Sequence, residues 1–212
     1  QFSNGYLIIH LGMSGRISIV TEKKSPLKHD HIDICFKVDG NKKILRYNDT
    51  RRFGAVIWTD NNPFNHKLIA TLGPEPLSDE FNADYLFEIV KRKKQPIKST
   101  IMDSHSVVGV GNIYANESLF LASIRPQRRS QKIKKNEISI LVDSIKMVIQ
   151  KAITRGGSTL NDFYSVNGKS GYFQNEHNVY GRENESCNKC DGTIYQLRIA
   201  QRSSFYCKKC QV

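Results

Sequence analysis

Four cysteines near the end of the chain, spaced Cys187-x2-Cys190-x16-Cys207-x2-Cys210, constrain the fold more than any other feature. Two residues between the members of a pair suit a tight turn that aims two thiolates at one ion, and two such pairs complete a tetrahedral shell. All four positions are then filled by protein, so the ion expected is one structural Zn2+ with no open site for substrate. Disulfides or free thiols are the alternatives for these residues. A module of roughly 30 residues has too small an apolar core to fold without such a staple. Paired cysteines of this kind fit a reducing compartment better than a secreted disulfide framework. Cys35, the fifth, sits in a strand pattern and is read as a small strand residue, not a nucleophile.

The rest of the 212 residues must supply the main fold. Residues 1–60 read mostly as strands. Tyr6–Leu11 is a short apolar run closed by the turn-like Gly12-Met13-Ser14-Gly15, and Ile32, Ile34, Phe36 and Val38 alternate with His31, Asp33, Cys35 and Lys37. That period of two marks a half-buried strand. Asp39-Gly40-Asn41 then predicts a hairpin into Ile44–Tyr47, and Ala55–Trp58 a further strand. Leu72-Gly73-Pro74-Glu75-Pro76-Leu77 is a rigid connector, and helical spacing follows it. Asn82 is expected to cap a helix through Lys94, Pro96 to open another, and Asn112 to cap a third running to about Ala122. The strongest helix is expected over 137–155, where Ile138, Leu141, Val142, Ile145, Ile149, Ala152 and Ile153 form a core stripe. Residues 158–181 read as a long, glycine-rich loop, a length that in compact proteins usually serves function.

Charge narrows the partner. Lys and Arg number 32 against 20 Asp and Glu, a net +12 that favours a polyanion, nucleic acid before an anionic membrane surface. No stretch approaches the roughly 20 apolar residues of a spanning helix. The first residues, Gln1-Phe2-Ser3-Asn4-Gly5, show no basic segment followed by an apolar run, so no secretory signal is read there. The basic runs Lys91–Lys94 and Arg128–Lys135 flank Gly109-Val110-Gly111-Asn112. Two glycines before a helix leave unpaired amides at its N-terminus, a geometry that binds phosphate, and a plain helix connector is the equal alternative. Between the cysteine pairs, Arg202 on a hairpin could fork onto a phosphate, or simply be a solvated surface arginine.

Together these residues resemble bacterial formamidopyrimidine-DNA glycosylases, which remove 8-oxoguanine and ring-opened purines from duplex DNA. The likeness is carried by His10–Gly15, Lys28–His31, Asp49–Gly54, Leu72–Leu77, Gly109–Ala115, Gly156–Leu160, Val179–Arg182 and Gln201–Cys207, in family order from end to end. It implies an α+β fold: a partial N-terminal β-sandwich over 1–72, a helix–two-turns–helix domain with a lesion loop over 73–177, and a β-hairpin zinc finger over 178–212. Met13, Arg51 and Phe53 match the family's wedge, which fills the gap left by an extruded nucleotide, with Arg51 facing the orphaned cytosine. His10, His29, Arg51, Lys93, Lys98, Asn112, Tyr180 and Arg202 fall at DNA-contacting positions, and Arg202 matches the proton donor of the second elimination. The loop near 156–176 would close over the flipped base. The family acts through a Schiff base and β,δ-elimination, as a monomer in the cytoplasm at the nucleoid, on double-stranded DNA with oxidised purines or abasic sites.

The likeness departs from the family at one place. Its nucleophile is an N-terminal proline amine beside a glutamate, with a lysine in the following segment, and Gln1-Phe2 aligns inside the sandwich instead. No residue of this chain takes those roles. The intact protein is expected to be a bifunctional glycosylase and AP lyase; the 212 residues alone are expected to bind lesion DNA weakly and not to turn over. Two rival readings are kept: an endonuclease VIII-type glycosylase for oxidised pyrimidines, against which the Met13/Arg51/Phe53 set and the glycine-rich loop speak, and a non-catalytic damaged-DNA-binding module. A zinc-ribbon transcription factor explains only the last 35 or so residues and is discounted.

Overall fold

The computed structural model describes residues 1–20, 24–156 and 176–212, and it falls into two compact units. Among the described residues, one comprises Gln1–Ala70 with Arg155 and Gly156, and the other Thr71–Thr154 with 176–212. The glycine-rich stretch Gly157–Leu160 and most of the expected lesion loop lie outside the described residues.

The first unit is the expected sandwich of antiparallel strands. β1 (Tyr6–His10) pairs with β5 (Ala55–Thr59), and β2 (Gly15–Val20), β4 (Asn41–Asp49) and β3 (Asp30–Val38) form a second sheet with β4 in the middle. The two-residue turn Asp39-Gly40 between β3 and β4 has φ of 48° and 77°. Both values are positive, as a type I′ turn requires, and this sets the register Val38↔Asn41. Ile17, Tyr47 and Ile32 consequently stand in one row across three strands. Arg46 and Asn48 point to the opposite face, because strand side chains alternate.

The second unit holds α1 (Ala83–Val90), α2 (Ile97–Ile101), α3 (Asn112–Leu121) and α4 (Lys135–Thr154), with β6 (Ile194–Ile199) and β7 (Arg202–Cys207) forming a hairpin. Its core joins Leu86, Ile97, Ile101, Leu119, Ile138, Leu141 and Ile145, all fully buried, each side chain contributing about 1.5–3 kcal/mol. The stripe of α4 is buried as its spacing requires, with one exception. Ile153 is 59% exposed, since it stands about 100° round from Ala152 in the last turn.

Helix boundaries differ from expectation in instructive ways. Asn82 does cap α1, its side chain accepting the Tyr85 amide at 3.0 Å, but the helix stops at Val90, not Lys94. Four successive cations at 91–94 repel one another, and Pro96 disfavours helical backbone at the residue before it. Pro96 itself stands one place before α2. At α3 the cap is Gly111; Asn112 is already the first helical residue. α4 begins at Lys135, two residues early.

Candidate nucleic-acid interface and metal centre

In the sandwich unit two turns are tied into one projection by Asp49. This carboxylate is fully buried and accepts the Ser14 hydroxyl at 2.6 Å, the Tyr47 hydroxyl at 2.9 Å, and the amides of Gly54 at 2.9 Å and Arg51 at 3.2 Å. The Ser14 bond above all, with those amides and the Tyr47 hydroxyl, holds the Asp49 carboxyl well below the ordinary carboxylate range. Burial and this same contact push the Tyr47 hydroxyl up to about 12, so it stays a donor. Two glycines let the turns touch: a Cβ on Gly12 would lie 2.7 Å from the Phe53 carbonyl carbon, and one on Gly54 would lie 1.9 Å from the Tyr47 hydroxyl. The result is a rigid base under three exposed side chains. Met13 is 53% and Phe53 59% exposed, and the Arg51 guanidinium lies 4.9 Å from the centre of the Phe53 ring. Met13, Phe53 and the Arg51 guanidinium over the Phe53 ring thus share one projection, which sets them apart from apolar side chains exposed singly. His10 ends β1 exposed, and His29 sits half-buried just before β3, its carbonyl accepting the Asp49 amide at 3.0 Å.

In the helical unit the hairpin sets Arg202 directly after the turn Ala200-Gln201, whose φ values of 45° and 65° force a tight reversal on two non-glycine residues. Beside it lies a depression of about 220 Å³ lined by Lys98, Ser99, Met102, Asp103, Ile199, Ala200 and Arg202. Lys98 is 1% exposed, and its ammonium donates to the Ser203 carbonyl at 2.8 Å and the Ser204 hydroxyl at 2.7 Å. Burial, helped by the Arg202 charge, lowers its pKa to about 8. Lys93 pairs with Asp103 at 3.4 Å. The cap of α3, Gly111, has no side chain to bond the first turn, whose N-terminus therefore carries the positive end of the helix dipole.

Tyr180 packs edge-on between His177 and Phe205, ring centres 5.4 and 5.2 Å away. Its position is set by a residue the sequence reading did not single out. Glu117, 1% exposed in α3, accepts the amides of Asn178, Val179 and Tyr180 at 2.8–3.0 Å and the Asn178 side chain at 2.9 Å. The signal available was weak: α3 is buried over Ala115–Phe120 almost all round, so its polar residues must find partners inside. Gln211 was missed as well. It is fully buried, accepting the Cys207 amide at 2.9 Å and donating to the Ile124 carbonyl at 2.7 Å.

The sulfurs of Cys187, Cys190, Cys207 and Cys210 all lie within 4.8 Å of one another, a cluster able to hold one metal ion. Neighbouring sulfurs stand 3.4–3.8 Å apart. Burial, then the adjoining sulfurs, push the Cys210 thiol up to about 12. The arrangement joins the two pairs across the hairpin, as their spacing predicted.

Comparison with known proteins decides the family. The model for the formamidopyrimidine-DNA glycosylase N-terminal domain matches residues 1–56, and that for the helix–two-turns–helix domain of the same enzymes matches 72–164. The formamidopyrimidine-DNA glycosylase of Neisseria meningitidis is 48% identical over 100% of this chain and 77% of its own length. That of Haemophilus influenzae is 53% identical over 98% of this chain and 75% of its own. The chain belongs to the formamidopyrimidine-DNA glycosylase family. Solved structures agree: the Thermus thermophilus MutM (Fpg) protein superposes with a TM-score of 0.84 at 32% identity, covering 99% of this chain and 76% of that one. The Lactococcus lactis Fpg in complex with abasic-site DNA gives 0.85 at 33%, with the same coverage. In this glycosylase fold the sandwich, the helical domain and the four-cysteine hairpin are all present, as the likeness implied. Among the described residues, no helix is long and apolar enough to cross a membrane.

Proposed function

We propose that this glycosylase-family chain binds duplex DNA carrying oxidised purines or abasic sites and serves their base-excision repair. The observation that carries the reading is the Asp49-tied projection of Met13, Arg51 and Phe53. Extruding a base costs a few kcal/mol of stacking, and a wedge offsets that only if it is exposed and cannot yield. His10, His29, Lys93, Asn112, Tyr180 and Arg202 are assigned to DNA, mostly its backbone. Lys98, buried with its ammonium on Ser203 and Ser204, is assigned to the floor of the same depression beside Arg202. Arg202 also donates a proton in the second elimination that follows glycosidic-bond cleavage through a Schiff base. No residue of Gln1–Val212 is given the nucleophile's role. In this proposal the segments 1–72, 73–177 and 178–212 are the wedge, backbone-binding and zinc-finger parts, and the protein is a cytoplasmic monomer.

Zinc is the ion assigned to the cysteines. Bonds of about 2.3 Å in a tetrahedron place the sulfurs about 3.8 Å apart, which the observed spacing approaches without rearrangement. The ion would stiffen the hairpin that presents Arg202 and take no part in the chemistry.

The test is equilibrium binding to three otherwise identical duplexes: intact, with 8-oxoguanine, and with an abasic site. The lesion duplexes are expected to bind tighter. Met13→Ala with Phe53→Ala should remove most of that preference and leave the steep salt dependence of phosphate binding in place. Equal affinity for all three duplexes would refute the reading.

A further inference from the structure

Strand β4 carries a polar lattice that the proposed function does not use. Arg46 is 3% exposed and Asn48 7%, although both are residue types that stay in water unless paired. The Arg46 guanidinium forks onto Asp33, Nε donating to Oδ1 at 2.8 Å and Nη2 to Oδ2 at 2.7 Å. Its Nη1 turns instead to the loop ahead of β3, donating to the carbonyls of Lys24 at 3.1 Å and Ser25 at 3.2 Å and to Asp30 at 3.4 Å. Asp30 in turn accepts the Asn48 amide group and the Leu27 backbone amide, each at 2.7 Å. On its far side the loop is closed by Asp49, whose amide donates to the His29 carbonyl at 3.0 Å and whose carbonyl meets His31 Nε2 at 2.8 Å.

We infer that Arg46, with Asn48 and Asp30, is a positioning residue for the DNA-contacting tip Lys28-His29, and this rests on the reading of His29 as a DNA contact. Stability alone is a poor reason for the lattice. Buried ion pairs are often replaced by apolar residues without loss. An apolar residue, however, holds no carbonyl and orients no carboxylate. Nη1 shares its two hydrogens among the carbonyls of Lys24 and Ser25 and the Asp30 carboxylate, tying the loop on both sides of its tip. Nε and Nη2 meanwhile fork onto Asp33, a planar arrangement that an ammonium cannot supply. Contact residues on loops work only if their support holds them to within about 0.5 Å. The same strand serves the wedge from its other face, through Tyr47 and Asp49. Four consecutive buried residues, Arg46–Asp49, thus align two contact loops on one rigid strand.

Binding of the full 212-residue chain to a duplex with one abasic site tests this, using Arg46→Lys, His29→Ala, the double variant and Asn48→Ser. Melting followed by Trp58 emission is recorded for each. Arg46→Lys and His29→Ala should each weaken binding about tenfold, and the double variant should fall no more than about twofold below the weaker single one. A support that acts only through the tip has nothing left to lose once the tip is removed. If Arg46→Lys fails to fold, Asn48→Ser decides, since it removes only the 2.7 Å bond to Asp30. Losses that multiply to about a hundredfold overturn the inference. So does a neutral Arg46→Lys beside a weakened His29→Ala. A neutral His29→Ala overturns instead the reading of His29 as a DNA contact.

Discussion

Glu117→Gln is the substitution with the best-defined consequence. The carboxylate sits fully inside the helical unit, one oxygen accepting the Val179 and Tyr180 amides and the other the Asn178 amide and side chain. Glutamine keeps the shape but turns one oxygen into an NH2 group. Whichever way it flips, two donors then face a donor. Each orphaned donor costs about 1–3 kcal/mol in the interior, and the surviving pair loses its charge assistance, so the loss is about 4 kcal/mol. The α-helices among the described residues all belong to this unit, whereas the one tryptophan, Trp58, belongs to the sandwich. Helical ellipticity during urea unfolding therefore follows the affected unit. With a slope of about 2 kcal/mol per molar urea, the midpoint should drop by about 2 M. The Trp58 emission transition is expected to move less. A drop in the helical midpoint below about 0.5 M would refute the claim that this carboxylate, and not the packing around it, holds 178–180 in place.

Other outcomes follow from the same geometry. Asp49→Asn should lower the preference for abasic over intact duplex about tenfold at unchanged salt dependence, because it loosens the base of the wedge and no phosphate contact. Because the folded pKa of Asp49 lies below its unfolded value of 3.8, its contribution is present above that value and is lost as pH falls below it. The acid limb of Trp58-monitored unfolding should accordingly flatten in Asp49→Asn. For Lys98 the sign is the same but the window lies at alkaline pH. Its pKa falls from 10.5 to about 8 on folding, so between those values the unfolded chain holds the extra proton and stability rises with pH. Relative to Lys98→Met the helical unit should gain about 3 kcal/mol at most from pH 7.5 to 10, while DNA affinity declines as the ammonium is lost; a flat difference would refute the assignment. Metal analysis should find one zinc per chain in the protein and less than one in Cys190→Ser, with hairpin melting lowered in step.

What the sequence made legible and what it hid divide along a physical line. Met13, Arg51 and Phe53 are legible as a proposed wedge only through the family likeness, and Arg202 also through its place on the hairpin between the cysteine pairs. The cysteines could be named because a metal shell demands a spacing, and the stripe of α4 because packing demands a period. Asp49, Arg46, Glu117 and Gln211 leave no such mark. Each is a polar side chain whose partners lie on other segments: Ser14 for Asp49, Ser25 for Arg46, Tyr180 for Glu117, Ile124 for Gln211. Their pairing is a property of the folded chain, invisible to periodicity or composition. Helix ends fall in the same class, since α1 stops at Val90, its last apolar residue, where charge repulsion and Pro96 end a helix expected to run to Lys94.

The division has a consequence for how such a chain reads damage. A wedge yields its stacking energy only if the turn beneath it does not give way when pressed into the duplex. Rigidity of that kind comes from buried hydrogen bonds to charged groups, which are strong when satisfied and costly when broken. Asp49 gathers four donors under the wedge, Arg46 gives three bonds to the loop beside it, and Glu117 takes four beneath Tyr180. In the proposed reading the exposed residues meet the DNA, and the buried ones supply the rigidity that discrimination between damaged and intact DNA requires. Substitutions at Met13 or Phe53 should therefore erode preference in proportion to the surface removed. Loss of Asp49 should erode it with no contact surface removed at all, and that contrast separates a supported wedge from a merely exposed one.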